Sequence, residues 1–424
     1  MGCRGKVELS IWQVGFLIAL SLICVVAAVI GWFHAIGPLM YDRSSYKHSN
    51  KLNNVTLILD THQRFSSFLD DIGSPPKLNN PHSYIQWTVL QMNDVYELIP
   101  LSGGKKGGLA RVATIRKLLL QENPNTITIL AGDVVSPSAL GMKKRKKTFI
   151  FIVLELNKIS SSLYLASIYR ALSMCNLSNF TYAKCNSIVN GSMLNGKQMI
   201  ATLNVLGLDY ATLGNHEFDL NETSLRRRLN ESRFEWIASN VHELNSTKPF
   251  HNVLPYKIIT ILNVKILIIG LTIDENMGPL SSKPYVAITS QQALPDFTAH
   301  FIKRLRLNFN LKWDVLICLT HLNMHNDIEI VEHNPDIDVL MGGHEHENYY
   351  LKRGSKYTPI CKADDNAFSV FIHRFAYQPK TKKLLIFSKL TPVSPRFLEE
   401  PETAKIANYF YEAGLQAYRD DGNY

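Results

Sequence analysis

Cysteine is scarce in this chain. Six cysteines in 424 residues (Cys3, Cys24, Cys175, Cys185, Cys318 and Cys361) show no spacing like a zinc knuckle or a disulfide framework, so neither device is expected to hold the fold together. Cys175 and Cys185 could pair locally, and Cys318 lies in a run that reads as a buried strand. Charge is also thin where it would matter most. The chain is formally +9, with 46% hydrophobic and 19% charged residues, a globular rather than a disordered balance. Between Lys143 and Gly191, however, eight Lys/Arg (Lys143, Lys144, Arg145, Lys146, Lys147, Lys158, Arg170, Lys184) face a single acid, Glu155, a net of +7 that leaves only +2 to the rest. The basic excess is local, so no nucleic-acid polymer is expected as a partner.

From Leu9 to Phe33 there is no charged residue at all. The run is long enough to cross a bilayer and carries Trp12 and Trp32 near its two interfaces, so residues 1–41 are expected to form a short cytoplasmic stub and one uncleaved transmembrane helix. A cleaved signal peptide is the alternative, but the run exceeds the usual apolar core and no small-x-small site follows it. Arg4 and Lys6 are balanced by Arg43, Lys47 and Lys51, so basic residues do not set the orientation. Sequons at Asn54, Asn176, Asn179, Asn190, Asn221, Asn230 and Asn245 suit an extracellular or lumenal body and a glycoprotein. The opening "MGCRGK" has Lys6 where a myristoylation signal wants Ser or Thr, leaving Cys3 palmitoylation as the lipid option. Residues 42–81 read as a polar linker ending in "GSPPKLNNP".

What the chain does have is a series of apolar runs that end in polar residues. "HSYIQWTVLQMNDVYEL" is a β-branched and aromatic strand delivering Asp94 and Tyr96, and "NTITILAGD" ends at Asp133. "GKQMIATLNVLGLDYATLGNHEFD" is an amphipathic helix running into a strand that ends at Asn215; "WDVLICLTHL" ends at His321 and "DIDVLMGGHEH" at His344 and His346. Hairpins are expected in "YKIITILNVKILIIGLT", turning at Asn263-Val264, and in "SVFIHRFAYQPKTKKLLIFSKLTPV". Parallel βα units mixed with hairpins argue for two packed sheets flanked by helices rather than one doubly wound sheet. The basic segment 143–191 breaks the rhythm and reads as an insertion: a lid, a poorly ordered loop or translated noncoding sequence.

Open α/β sheets bind ligands at the carboxyl ends of their strands. Gathered at one edge, Asp94, Asp133, Asn215, His321, His344 and His346 would supply two carboxylates, an amide oxygen and three imidazoles, the ligand mix that borderline first-row metals accept. Two metals roughly 3.5–4 Å apart can clamp a phosphoryl oxygen and generate hydroxide between them. His216 and Asp219 are three apart, so the carboxylate can reach and orient the imidazole; the alternative is that His216 only caps the helix. His325 and His333 end no strand and are expected to be ordinary surface residues. Glu217 and Glu345 are expected to be solvated or to stand behind the ligands.

The blocks "NDVY", "GGLARVATI", "LAGDVVSPSALG", "GKQMIATLNVLGLDYATLGNHEFD", "LTHL", "GGHEH" and "KADDNA", in this order over about residues 85–395, resemble calcineurin-like metallophosphoesterases, within them the 5'-nucleotidase and 2',3'-cyclic phosphodiesterase group. The resemblance implies a four-layer α/β/β/α catalytic domain over 82–397. One metal would be held by Asp94, Asp133 and His346 and another by Asp133, Asn215, His321 and His344, with Asp133 bridging and His216 facing the phosphate. The metals would be Zn, Mn or Fe, and the reaction hydrolysis of a small phosphate ester, expected to be a nucleotide, by attack of metal-bound hydroxide on phosphorus. Cyclic nucleotides and nucleotide sugars are alternative substrates, and a non-catalytic membrane-anchored ectodomain is the alternative function. Nothing in the sequence fixes an oligomeric state.

Two departures from the family pattern stand out. Relatives carry D-x-H in the first block, and this chain has Tyr96 at the third position. A neutral phenol is a poor ligand, but one bound to a strongly acidic cation can ionise, so Tyr96 is an Fe(III) ligand, a group beside a weakened first site, or a packing tyrosine. The family's nucleotidases also continue into a C-terminal substrate domain, whereas here residues 398–424 read as the start of the connecting helix.

Overall fold

Along the first strand, Trp87 and Val89 enter one apolar cluster and Leu90 and Met92 another, and all four are buried. A strand covered on both faces needs no polar alternation, which is why these runs read as continuous apolar sequence. The computed structural model describes residues 71–135, 188–189, 192–275 and 285–420. The apolar run 9–33, Cys175, Cys185 and nearly all of the segment 143–191 lie outside these residues. Among the described residues, no helix is long and apolar enough to cross a membrane.

In chain order the main elements are β1 (Ile85–Met92), α1 (Leu109–Glu122), β2 (Thr126–Ala131), α2 (Lys197–Leu206), β3 (Tyr210–Thr212), α3 (Glu222–Glu231) and β4 (Glu235–Trp236). There follow β5 (Tyr256–Ile261), β6 (Val264–Thr272), α4 (Leu294–Leu307), β7 (Val315–His321), α5 (Met324–His333) and β8 (Val339–Gly343). The last are β9 (Tyr349–Arg353), β10 (Thr358–Lys362), β11 (Ser369–Gln378), β12 (Lys383–Pro392) and α6 (Pro401–Asp420). One six-stranded sheet has the order β12-β11-β1-β2-β3-β4 and the other the order β9-β10-β8-β7-β6-β5. In the first, β1 to β4 run parallel and the β11–β12 hairpin is antiparallel. In the second, β6, β7, β8 and β10 run parallel, with antiparallel β5 and β9 at the two edges.

Three apolar clusters give four layers. Trp87, Ile129, Ile266, Ile317, Met341 and Phe375 lie between the sheets. Helices α1, α2 and α6 cover the outer face of the first sheet through Val112, Leu203 and Phe410, and α4 and α5 cover the second through Phe301 and Ile330. The expected α/β/β/α sandwich is therefore the observed one. Both hairpins form, the first turning at Leu262 and Asn263, one residue earlier than expected. The linker reading of 42–81 needs correction at its end. Ile72 is fully buried, and Arg374, paired with Glu122, donates hydrogen bonds to Ile72 O and Gly73 O, so the folded body includes these residues.

A polar bolt crosses the apolar layer. Gln91 on β1 donates from Nε2 to Gly342 O and Cys361 O of the other sheet, and its Oε1 accepts from His373 Nε2 at 2.9 Å. His373 Nδ1 accepts from the Ser388 hydroxyl, so the ring is neutral, and burial holds its pKa down at about 3. Its pKa in the unfolded chain is about 6.5. Below that value the unfolded chain takes up a proton that the folded chain refuses, so stability present above pH 6.5 should fall as pH drops toward 3. The slope should be on the order of 1 kcal/mol per pH unit. In urea unfolding against pH, His373→Gln should flatten this acid limb; parallel limbs for wild type and variant would contradict the assignment.

Candidate metal centre

Four of the expected ligands sit in strained backbone. Asp94 (φ 52°), Asp133 (φ 57°), His344 (φ 84°) and His346 (φ 61°) are all in the left-handed region. Each such residue costs about 1–3 kcal/mol and persists only where its surroundings enforce it. Here the enforcement is visible. Asp94 N donates to Gly132 O, Val95 N to Asp133 O and Asn366 N to Asp94 O. The carboxylates then accept from the neighbouring loops: Asp94 Oδ2 from His344 N at 2.8 Å and Asp133 Oδ1 from His216 N at 3.0 Å. Gly214 packs so tightly on the Asp133 carboxylate that a Cβ there would collide with it.

The side chains converge as the strand-end pattern anticipated. Asp94, Asp133 and His321 are buried and offer ligand atoms within 4.8 Å of one another. His321 Nε2 is 3.2 Å from Asp133 Oδ2 and 3.9 Å from Asp94 Oδ1, and His346 Nε2 is 3.4 Å from Asp94 Oδ1. The His344 ring meets that of His321 edge-on, with centroids 5.2 Å apart. Asn215 is buried and its Oδ1 has no hydrogen-bond partner; His321 Nε2 is likewise without a hydrogen bond. An unpartnered buried amide oxygen is costly unless something else satisfies it. A carbonyl oxygen and an imidazole lone pair beside two carboxylates fit a cation.

One of the imidazoles is oriented from behind by a hydrogen bond. His321 Nδ1 donates to Ala131 O at 2.8 Å, which fixes the ring and turns Nε2 toward the carboxylates. His344 Nε2 lies 3.9 Å from Glu275, and His346 Nδ1 lies 3.9 Å from Asp365. The two carboxylates raise the proton affinity of the imidazoles in contact with them. Burial works against charging His321, yet Asp133 and Asp94 bring its pKa up to about 10. Contact with Asp94 raises that of His346, whereas burial and the neighbouring His321 lower that of His344. Burial alone would raise the Asp133 carboxyl, but His321 and His216 hold it at about 2.

Tyr96 lies inside the cluster rather than in the apolar packing. Its hydroxyl donates to Asp133 Oδ2 at 2.8 Å and stands 3.0 Å from His346 Nε2 and 3.4 Å from Asp94 Oδ1. Burial first, then Asp133 and Asp94, push the phenol well above its usual pKa. His216 Nδ1 is 2.7 Å from Asp219 Oδ2, as the spacing of three implied. His325 and His333 are on the surface beside Glu329 and Asp296. A cavity of about 670 Å³ borders the centre through Asn323 and Glu345.

Of the two places open to Glu217, solvated or behind the ligands, it takes the second: it is fully buried, and its two oxygens accept from four backbone donors, Oε2 from Asp133 N and Gly214 N, Oε1 from Val134 N and Val135 N. One carboxylate thus clamps the Asp133 loop to the Asn215 loop. The available signal was an acid in a run otherwise destined for burial. Glu217→Gln should leave backbone N–H groups facing an amide NH₂ and destabilise the fold by roughly 1–3 kcal/mol. A urea midpoint unchanged from wild type would contradict the clamp.

The sequence profile of the calcineurin-like phosphoesterases matches residues 87–348. A snake venom 5'-nucleotidase from Gloydius brevicauda is 28% identical over 198 residues, covering 44% of this chain and 32% of that protein. An NAD 5'-nucleotidase from Haemophilus influenzae is 29% identical over 159 residues, 37% of this chain and 25% of that protein. The chain therefore matches about a third or less of the length of these curated relatives. Among solved structures, a 5'-nucleotidase precursor from Thermus thermophilus shares the fold with a TM-score of 0.55 at 16% identity, over 78% of this chain and 59% of the other. With the profile matched over well over half of its length and the strand-end cluster in place, the chain belongs to the calcineurin-like phosphoesterase family.

Proposed function

We propose that this protein is a metal-dependent hydrolase of small phosphate esters, nucleotides among them, working at a two-cation centre. The observation that carries the reading is the convergence of ligand atoms of Asp94, Asp133 and His321, together with a buried amide oxygen, Asn215 Oδ1, that has no hydrogen-bond partner. That the relatives it matches are 5'-nucleotidases supports nucleotides as substrates. Asp94, Asp133 and His346, with Tyr96, would hold one cation, and Asp133, Asn215, His321 and His344 the other. When bound, cations of this kind supply Lewis-acid activation of the phosphoryl group and of the attacking water.

The protein's own groups do the rest. Asp133 is the residue that would serve both cations, because its carboxylate reaches both halves of the cluster, toward Tyr96 and toward His321. Asp219 binds His216 Nδ1 and leaves Nε2 as the ring nitrogen able to donate a proton or hydrogen bond to the phosphoryl group. The apolar run 9–33 and the exposed sequons Asn221, Asn230 and Asn245 support a membrane-tethered, extracellular or lumenal body.

One observation favours a second reading. The Tyr96 oxygen lies where three ligands of the first cation meet, so the neutral phenol could take that place and leave a single cation at the Asn215 side. The two readings separate in an iron-loaded sample. Coordinated phenolate gives a visible charge-transfer band that Tyr96→Phe abolishes, whereas a colourless iron form would favour the second reading. For the activity itself, the chain loaded with Zn, Mn or Fe should hydrolyse members of a panel of nucleoside monophosphates, cyclic nucleotides, nucleotide sugars and aryl phosphates. Asp133→Ala should abolish turnover, and hydrolysis surviving that change would sink the assignment.

A further inference from the structure

Lys362 ends β10, in the sheet that carries the three histidines, and its side chain is wholly removed from water. Lysine is almost never buried in this way unless it is paired. Its Nζ donates to Leu322 O at 2.6 Å and lies 3.0 Å from Asp327 Oδ2 and 3.7 Å from Glu345 Oε1. Each partner leads to a candidate ligand. Leu322 follows His321 in the chain, and Glu345 stands between His344 and His346. Asp327, on α5, accepts at Oδ1 from the hydroxyl of Thr320, the residue before His321, at 2.8 Å. Glu345 Oε1 also accepts from Met324 N at the start of α5. The packing over this cluster is tight: a Cβ on Gly342 would stand 3.0 Å from Asp327 Oδ2 and from Lys362 Cε. The ammonium touches none of the candidate ligands. It holds the backbone loops on which they are mounted.

We propose that Lys362 is a positioning residue, a buried cation that ties the loop after β7 to the loop after β8 and so sets the spacing of His321, His344 and His346. The inference rests on the reading of this cluster as a cation site. A lysine serving only to neutralise Asp327 would make the same ion pair and, being buried, would also need acceptors for its other two N–H groups, so the contacts alone do not separate the two roles. The two roles part when the charge pair is removed as a unit. Lys362→Met alone strands Asp327 in the interior, whereas Lys362→Met combined with Asp327→Asn removes both charges and keeps an acceptor for Thr320.

The experiment measures, on the full chain, the urea unfolding midpoint and the Zn affinity by competition with a chromophoric chelator. Leu203→Ala, a core truncation in α2 on the far side of the first sheet, reports what lost stability alone does to affinity. The double variant should recover much of the midpoint lost by Lys362→Met while Zn affinity stays about 10–100-fold below wild type, the usual loss when a group supporting metal ligands is removed. If the double variant remains unstable, its affinity should still lie below that of Leu203→Ala at a matched midpoint. Affinity that recovers together with stability, or that equals the Leu203→Ala value, would overturn the positioning role. Wild-type protein that binds no cation at all would overturn the metal reading, and this inference with it.

Discussion

Two carboxylates buried side by side are the constraint from which the rest of the site follows. Asp94 and Asp133 are almost wholly excluded from water and offer oxygens within 4.8 Å of His321 and of one another. Like charges at this separation, out of water, repel strongly. The surroundings answer with the imidazoles of His321 and His346, whose proton affinity is raised, with backbone N–H groups and with the Tyr96 hydroxyl. These responses leave Asn215 Oδ1 unpartnered. Cations at this position would satisfy the remaining demand, and the strained left-handed backbone at four positions is then a cost that the fold bears to aim its ligands.

The scaffold bears that cost because it is stiff. Parallel strands of both sheets deliver their carboxyl ends to one seam, and the apolar layer between the sheets is crossed there by Gln91, which bonds to both Gly342 and Cys361. On the first-sheet side, Glu217 gathers four backbone donors and locks the Asp133 and Asn215 loops together. Facing it, Lys362 gathers Leu322, Asp327 and Glu345 beneath the histidine loops. A buried anion on one side and a buried cation on the other thus brace the two halves, and each is satisfied by several partners.

Much of this was legible in the sequence because strands covered on both faces make polar residues at their ends conspicuous. Asp94, Asp133, Asn215, His321, His344 and His346 could be picked out in that way, and the His216 to Asp219 contact followed from helical spacing. What stayed hidden depends on contacts distant in sequence. Lys362 stands in the sequence only as the first residue of "KADDNA", and nothing local distinguishes it from a solvated lysine. For Glu217 the sequence left two places open, solvated or behind the ligands, and only the backbone of residues 133–135 brought against it decides between them. Ile72 is a single apolar residue in a polar stretch, and only the tertiary packing shows that it belongs to the core. Tyr96 was ambiguous from sequence, and its hydroxyl turns out to lie among the carboxylates.

The central claim is that cations balance the paired carboxylates at this seam. The most direct measurement is anomalous X-ray diffraction from crystals of the zinc-loaded protein. The account predicts two anomalous peaks, one bounded by Asp133, Asn215, His321 and His344 and the other by Asp94, Asp133, His346 and Tyr96. An absence of anomalous density in the cluster, with Asn215 Oδ1 and His321 Nε2 hydrogen-bonded to ordered water instead, would contradict it.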